Sequence, residues 1–312
     1  MTGNISVIKS KENQLSWINI IHAQRQEIDY LRRKYSFQNE DLRDSYSSNY
    51  ARRPKFKLAG NYSFLILQFP YYNAKTRTIT AEEVDFFIGK DFLVTIHNND
   101  LPPILEAFNA CAHDPFYLEQ YTNGGSLTLL HEIILTLQEY CYPILDHIYL
   151  DIKNIENNMF ANRERQMVRE ISNIKRNILD VKKIVEMHKD IIKKVTLVKN
   201  NFFPSAGMRN SYSELMEHTK TIWEIIENQK DLIESLEDTN QTLVSMQLND
   251  VMKTLTIVSV IFTPAALLVN LFGMNMSDTP FANSPFGFWL ISIIAIVSVL
   301  TFFIWFKRKK WL

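Results

Sequence analysis

Two long stretches near the C-terminus carry no charged side chain: Thr254 to Ser277, and Thr279 to Phe306. Each exceeds the ~20 apolar residues that a helix needs to cross a hydrocarbon core. The pattern predicts two membrane spans joined by the short loop Met276–Gly287, whose only charge is Asp278. Upstream, Ile222, Ile225, Ile226, Leu232, Ile233, Leu236, Leu243 and Met246 recur at helical spacing. From Tyr212 to Phe272 Pro264 is the sole proline and there is no glycine. One helix of about 60 residues, on the order of 90 Å long, is therefore expected, with only its second half in lipid. Pro264 is tolerable there because neighbouring helices re-satisfy the freed carbonyl, with at most a mild kink.

A second period lies within the first. Met252, Thr256, Ser259, Thr263, Ala266 and Asn270 follow one another at intervals of 4, 3, 4, 3 and 4, which places small or polar residues on one helix face. Asn249 extends the stripe at its cytosolic end. Ile257, Val258, Ile261, Phe262, Leu267 and Leu268 occupy the other faces. Such a stripe serves either close helix packing or the lining of a polar path, and spacing alone leaves both open.

The N-terminal part reads differently. "NYSFLILQFP", "TRTITAEEVDFFIG" and "DFLVTIHN" predict strands, with turns at Asn73 and at Gly89-Lys90. "LPPILEAFNACA" predicts a helix that starts at Pro102 and Pro103. An α/β domain follows, its strand order not legible.

Composition changes the picture in three places. Hydrophobic content is 46%, so the whole chain is not a membrane bundle. The formal net charge of zero argues against a nucleic-acid partner, but the charge is unevenly placed. Arg163 to Lys199 holds eleven Lys/Arg against five Asp/Glu, and Glu214 to Asp250 nine Asp/Glu against two Lys. The run Lys307-Arg308-Lys309-Lys310 after the second span puts that end, and with it the large N-terminal part, in the cytoplasm. Trp289 and Trp305 sit near the two ends of the second span, as interfacial anchors do. The two cysteines, Cys111 and Cys141, form no CxxC and read as reduced, partly buried thiols. Charges at Lys9, Lys11 and Glu12 interrupt any N-terminal signal pattern.

No enzyme signature is present. The seven histidines form no HExxH or close ligand cluster, and there is no GxGxxG, Walker loop or nucleophile elbow. Catalysis is not expected. A membrane-anchored coiled-coil sensor that conducts nothing remains a structural alternative.

"NDVMKTLTIVSVIFTP", then "FGMN", a short loop, a second span and a terminal "FKRKKWL" resemble the CorA family of divalent-cation channels. Gly273-Met274-Asn275 is similar to that family's signature and stands where the family has it, at the outer end of the first of two C-terminal spans. "VDFFIGKDFLVTIHN" and "NIKRNILDVKKIV" extend the resemblance upstream.

The resemblance implies an α+β membrane protein assembled as a funnel-shaped homopentamer. Its parts would be a cytosolic α/β domain (1–130), an antiparallel helical pair (131–211), a cytosolic stalk helix (212–253) and a pore-lining first transmembrane helix (254–274). An extracellular loop (275–287), a second transmembrane helix (288–306) and a basic cytosolic tail (307–312) complete it. It implies a multi-pass protein of the cell (inner or plasma) membrane with both termini cytoplasmic, in contact with lipid, divalent cations and copies of itself.

The resemblance also implies roles. Gly273, Met274 and Asn275 form the selectivity filter. A ring of Asn275 amide oxygens would meet Mg2+ through its tightly held water, which an all-carboxylate filter would strip. Gly273 would allow a close turn at the helix end. Met274, a poor ligand for a hard cation, would pack. Thr256, Ser259, Thr263 and Ala266 would line the pore, Met252 and Leu255 would form an apolar constriction that closes by dewetting, and Asn249 would stand at the cytosolic mouth. Asp238 aligns with the stalk carboxylate of a regulatory Mg2+ site, and Asp41 in "NEDLRD" is the candidate partner acid. The chain departs from the family in having Phe272 before the triplet and a loop, "MSDTPFANSPFG", in which Asp278 alone attracts cations. Thr263 on the pore face and a zinc-moving branch with the same triplet keep Zn2+, Co2+ and Ni2+ as alternatives to Mg2+, with proton coupling open.

Overall fold

The computed structural model describes residues 4–12, 14–46, 53–160, 164–197, 206–273, 286–309 and 311. It falls into two compact units, 1–237 and 238–312. The strands of the first unit are β1 (Ile5–Lys9), β2 (Ser16–Ile21), β3 (Lys55–Ala59), β4 (Tyr62–Asn73), β5 (Thr78–Ile88) and β6 (Phe92–His97). Its helices are α1 (Arg25–Tyr35), α2 (Asn39–Asp44), α3 (Pro102–His113), α4 (Pro115–Thr122), α5 (Ser126–Glu139), α6 (Cys141–Asn158) and α7 (Glu164–Leu197). Helix α8 (Ala206–Phe272) begins here and continues into the second unit, which also holds α9 (Gly287–Arg308).

The strands form one sheet in the order β1-β2-β6-β5-β4-β3. Only β2 and β6 pair in parallel; the other pairs are antiparallel. Strand side chains alternate between faces, and both faces are covered, which is why the central strands read as apolar runs and not as alternation. Along β4, Leu65, Leu67 and Phe69 join the core under α3 and α5, whereas Phe64 and Ile66 join the core under α1 and α2. The register Leu65↔Phe86 and Phe64↔Phe87 carries the same division across to β5. Edge strand β3, "KFKLA", carries Lys55 and Lys57 and is less buried, as an edge that must not pair further should be.

Local chemistry sets the element ends. The backbone N–H of Gln24 donates to Glu27 Oε2 at 3.0 Å and closes the start of α1. Pro102 and Pro103 open α3. Phe116 N–H donates to Asp114 Oδ1 at 2.9 Å and starts α4. A buried polar line ties the parallel pair together: Trp17 Nε1–H donates to Thr95 Oγ1 (3.1 Å), Thr95 Oγ1–H to Asn19 Oδ1 (2.6 Å), and His97 Nε2 lies 3.1 Å from the same oxygen. Both cysteines are free and buried, and burial pushes the Cys111 thiol up to about 11 and the Cys141 thiol up to about 12.

The expected strands and the Pro-led helix are present within one to three residues of their predicted limits, β4 running on to Asn73. Strands β1, β2 and β3 are additional. The segment 131–211, expected as a helical pair, begins inside α5, whose Leu129, Leu130, Ile133 and Leu137 belong to the sheet-covering core; the two long neighbours that pack together are α6 and α7.

Helix α7 is held to the sheet by polar side chains. Asn177 donates to the Arg77 carbonyl at 2.9 Å and accepts from Ile79 N–H at 3.3 Å. His188 Nε2 donates to the Gln68 carbonyl at 2.6 Å. The first part of α8 is held to α5 and α6 in the same way. Tyr212 Oη donates to the Leu127 carbonyl, Gln138 Nε2 to Thr219 Oγ1 and Gln229 Nε2 to the Leu145 carbonyl, at 3.1, 2.8 and 2.8 Å. The uneven charge of the sequence finds part of its cause here. Basic α7 meets acidic α8 through Lys175–Glu237 at 2.6 Å and through Lys182–Glu227.

Candidate functional site

Helix α8 is a single element of 67 residues with Pro264 inside it. It and α9 are long and apolar enough to cross a membrane. In the second unit Ile257 and Ile261 of α8 are buried against Phe306, Val299 and Phe302 of α9. At about 100° per residue, the stripe from Met252 to Asn270 is centred roughly 160° round the helix from Ile257 and Ile261. Thr256, Ser259, Thr263, Ala266 and Asn270 lie on a face open at most positions, and Asn249, Met252 and Leu255 are exposed. Packing against the chain's own second span is thus carried by the apolar face, and the polar stripe points away from it. Of the two uses that spacing left open, close packing within one chain is removed.

The hydroxyls on that stripe share one geometry. Thr256 Oγ1 donates to the Met252 carbonyl at 2.8 Å, Ser259 Oγ to Leu255 at 2.9 Å and Thr263 Oγ1 to Ser259 at 2.6 Å. Each hydroxyl proton is consumed by the helix, which leaves the oxygen lone pairs as acceptors. Acceptors suit the outward-facing hydrogens of a hydrated cation.

Gly273 follows α8, and its N–H still donates to the Val269 carbonyl at 2.9 Å. Among the described residues the left-handed glycines are Gly60, Gly124 and Gly125, and the residues that would follow a close turn at Gly273 lie outside the described ones. A Cβ at Gly273 would lie 3.1 Å from the Val269 carbonyl oxygen, a tight contact that a glycine avoids. Met274, Asn275 and Asp278 lie outside the described residues.

The two candidate regulatory acids differ. Asp238 lies on α8 and is not among the buried acids. Asp41 is fully buried: Tyr62 Oη donates to its Oδ2 at 2.6 Å and Lys57 Nζ to its Oδ1 at 2.9 Å. Burial and the neighbouring carboxylate raise the Tyr62 phenol, and the hydrogen bond to Asp41 raises the Lys57 ammonium. Both Asp41 oxygens are thereby committed to α2 and the β3–β4 edge. The sequence gives no sign of this, since Lys57 and Tyr62 belong to strands well downstream of α2. Asp41→Ala is expected to lower stability by about 1–3 kcal/mol, the cost of stranding buried partners, as read from chemical denaturation of the full-length protein. An unchanged denaturation midpoint would contradict that role. Among the described residues no group of three or more His, Cys, Asp or Glu is placed to hold a metal.

A mixed six-stranded sheet domain, a very long helix and two helical stretches apolar enough to cross a membrane, one bearing a polar acceptor stripe, have the parts of a membrane protein with a large extramembrane domain. The family model described as "CorA-like Mg2+ transporter protein" matches residues 12–308, and the chain belongs to that family of divalent-cation transporters; it is not an enzyme. It is 22% identical over 309 residues to the cobalt/magnesium transport protein CorA of Methanocaldococcus jannaschii, covering 98% of this chain and 94% of the relative. The solved full-length CorA magnesium transporter of that organism shares the fold with a TM-score of 0.82 at 20% identity, over 98% of this chain and 94% of the other. The zinc transport protein ZntB of Pectobacterium carotovorum is 20% identical over 260 residues, covering 83% of this chain and 77% of the relative.

Proposed function

We propose that this chain forms a channel for hydrated divalent cations, with Mg2+ the principal ion, moving down the electrochemical gradient. Five copies arranged as a funnel-shaped pentamer place five α8 stripes around one axis. The observation that carries this reading is the orientation of the stripe: it is polar, acceptor-rich and directed away from α9. In an assembly with a pore, that face is the polar one among the faces left free, and so the one suited to line it. Asn275, just beyond α8, supplies the ring of amide oxygens that meets the ion with its water in place. Thr263, Ser259 and Thr256 continue the acceptor path, with Ala266 above them. Met252 and Leu255 form an apolar ring that shuts the path by dewetting, and Asn249 stands at its inner mouth. Asp278 in the outer loop concentrates cations before entry. The basic end of α9 is cytoplasmic, as is the first unit.

The experiment is Mg2+ uptake into proteoliposomes under an inside-negative potential. Robust saturable uptake supports the channel. No uptake of any divalent ion by an intact oligomer would overturn it. A second reading, Zn2+ transport with or without a proton gradient, is favoured by two observations. Thr263 is a hydroxyl on the candidate pore face, and one of the relatives is named for zinc. Running the same vesicles with Zn2+, Co2+ and Ni2+, with and without a pH step, separates the two.

Gating is proposed to rest on Mg2+ bridging Asp238 to an acid of a neighbouring copy. Asp41, whose oxygens are already taken, is not carried forward as that acid. Without the bridging cation the facing carboxylates repel and the assembly loosens. Asp238→Ala is expected to weaken inhibition of flux by internal Mg2+ several-fold, about 1 kcal/mol. Inhibition that is identical in wild type and variant would remove Asp238 from the mechanism.

A further inference from the structure

Between α7 and α8, within the first unit, lies a cavity of about 340 Å³. It is lined by Val185, Glu186 and Lys189 from α7 and by Thr219, Lys220 and Trp223 from α8. That volume falls in the range of small-molecule sites. None of these residues has a part in the proposed ion path.

The lining specifies a chemistry. Val185 and Thr219 are buried and form the inner wall. Trp223 is half-buried, and Lys182, which does not line the cavity, holds its ammonium 5.0 Å from the indole centroid. That cation is itself paired with Glu227, and the same tryptophan lines the cavity. The indole N–H makes no hydrogen bond among the described residues, and the Lys189 ammonium has no ion-pair partner among them. Lys220 adds a second ammonium, held by Glu224 only across an exposed 3.5 Å pair. Thr219 Oγ1 already donates to the Leu215 carbonyl and accepts from Gln138. The unused groups are therefore donors, with the exposed Glu186 carboxylate as the one acceptor, beside a flat aromatic wall and an apolar one. A divalent cation is the wrong ligand, since Glu186 is the single acid in the lining and two ammonium groups oppose it.

We infer that this groove binds a planar aromatic anion of nucleoside-monophosphate size, its ring against Trp223 and Val185 and its charge on Lys189 and Lys220. Stacking on tryptophan and charge-assisted hydrogen bonds to ammonium groups each add affinity, and they act on opposite ends of such a molecule.

The test is calorimetric titration of the full-length protein in detergent, without divalent cations, using AMP, adenosine and inorganic phosphate as separate probes. AMP is expected to bind more tightly than either fragment. Trp223→Leu and Lys189→Gln are each expected to weaken AMP by about tenfold, while Trp223→Phe, which keeps a ring, stays within about threefold. Thermal unfolding of each variant identifies any that fails to fold, and Lys189→Gln, at an exposed position, keeps the test available if Trp223→Leu does. No AMP binding at millimolar concentration overturns the inference, as it would if a neighbouring copy closed the groove. Wild-type affinity in folded Lys189→Gln also overturns it. So does phosphate or adenosine binding as tightly as AMP, because one end of the ligand would then contribute nothing.

Discussion

Replacing Asn275 with alanine is expected to reduce Mg2+ uptake into proteoliposomes by at least about tenfold, or to leave a flux that no longer distinguishes Mg2+ from Na+. The reason lies in how a small hard cation holds its water. Mg2+ dehydrates reluctantly, so a filter that works must engage the hydrated ion and still release it. A neutral amide oxygen accepts hydrogen bonds from first-shell water without the dense charge that would trap the ion. In the proposed pentamer alanine removes that acceptor from every copy at once, and a loss of only about 1.4 kcal/mol over the ring is tenfold in rate. α8 remains helical to Phe272, and the Gly273 N–H still joins the helix ladder, two residues before Asn275 in the sequence. Asn275→Gln, which keeps the amide one methylene further out, is expected to retain more flux than alanine. If alanine and wild type carry Mg2+ equally and with equal selectivity, the filter lies elsewhere on the stripe.

What could be read from the sequence follows what periodicity can encode. The two spans declared themselves because lipid forbids charge along a whole helix, and two consecutive charge-free runs, Thr254 to Ser277 and Thr279 to Phe306, are hard to place otherwise. The 67-residue helix was legible because Pro264 falls where neighbouring helices tolerate it. The stripe was visible but its use was not. What decides that is Ile257 and Ile261 packing on Phe306, a contact between two separate helices that spacing within one of them cannot express. Strands β1, β2 and β3 stayed hidden for the same reason. β1 and β3 are short edges with mostly polar or half-exposed positions, and β2 carries Asn19 in mid-strand. Asn19 is buried only because Thr95 and His97 of β6 supply its partners. Asp41 shows the limit from the other side. An acid in a helical "NEDLRD" looks solvent-facing until the β3–β4 edge folds over it. Elements whose pattern is local were legible, whereas Asn19 and Asp41, whose partners arrive from another element, were not.

His188 makes the same point with a measurable consequence, because a buried histidine links folding to pH. It sits on α7 with its ring 5.0 Å from that of Phe69 and its Nε2–H on the Gln68 carbonyl. Burial disfavours the imidazolium and pushes its pKa down from 6.5 to about 4, against the smaller upward pull of that hydrogen bond. The unfolded chain takes up a proton as pH falls through 6.5, and the folded protein does not until about 4. Stability from this group is therefore complete above pH ~6.5 and is lost progressively between there and about pH 4, by about 3 kcal/mol in all. His97, also lowered by burial, adds to the loss in the same direction. Thermal unfolding of the full-length protein should thus fall in midpoint between about pH 7 and about pH 5. In His188→Gln, whose side-chain N–H can still reach the Gln68 carbonyl but takes up no proton, the fall should be shallower by the His188 share. Equal slopes in the two proteins would mean that this part of α7 opens enough for the imidazole to meet water. In that case α7 would not be fixed on the sheet at His188, and its attachment would rest on Asn177, the ion pairs and the apolar packing of Ile191, Ile192 and Val195.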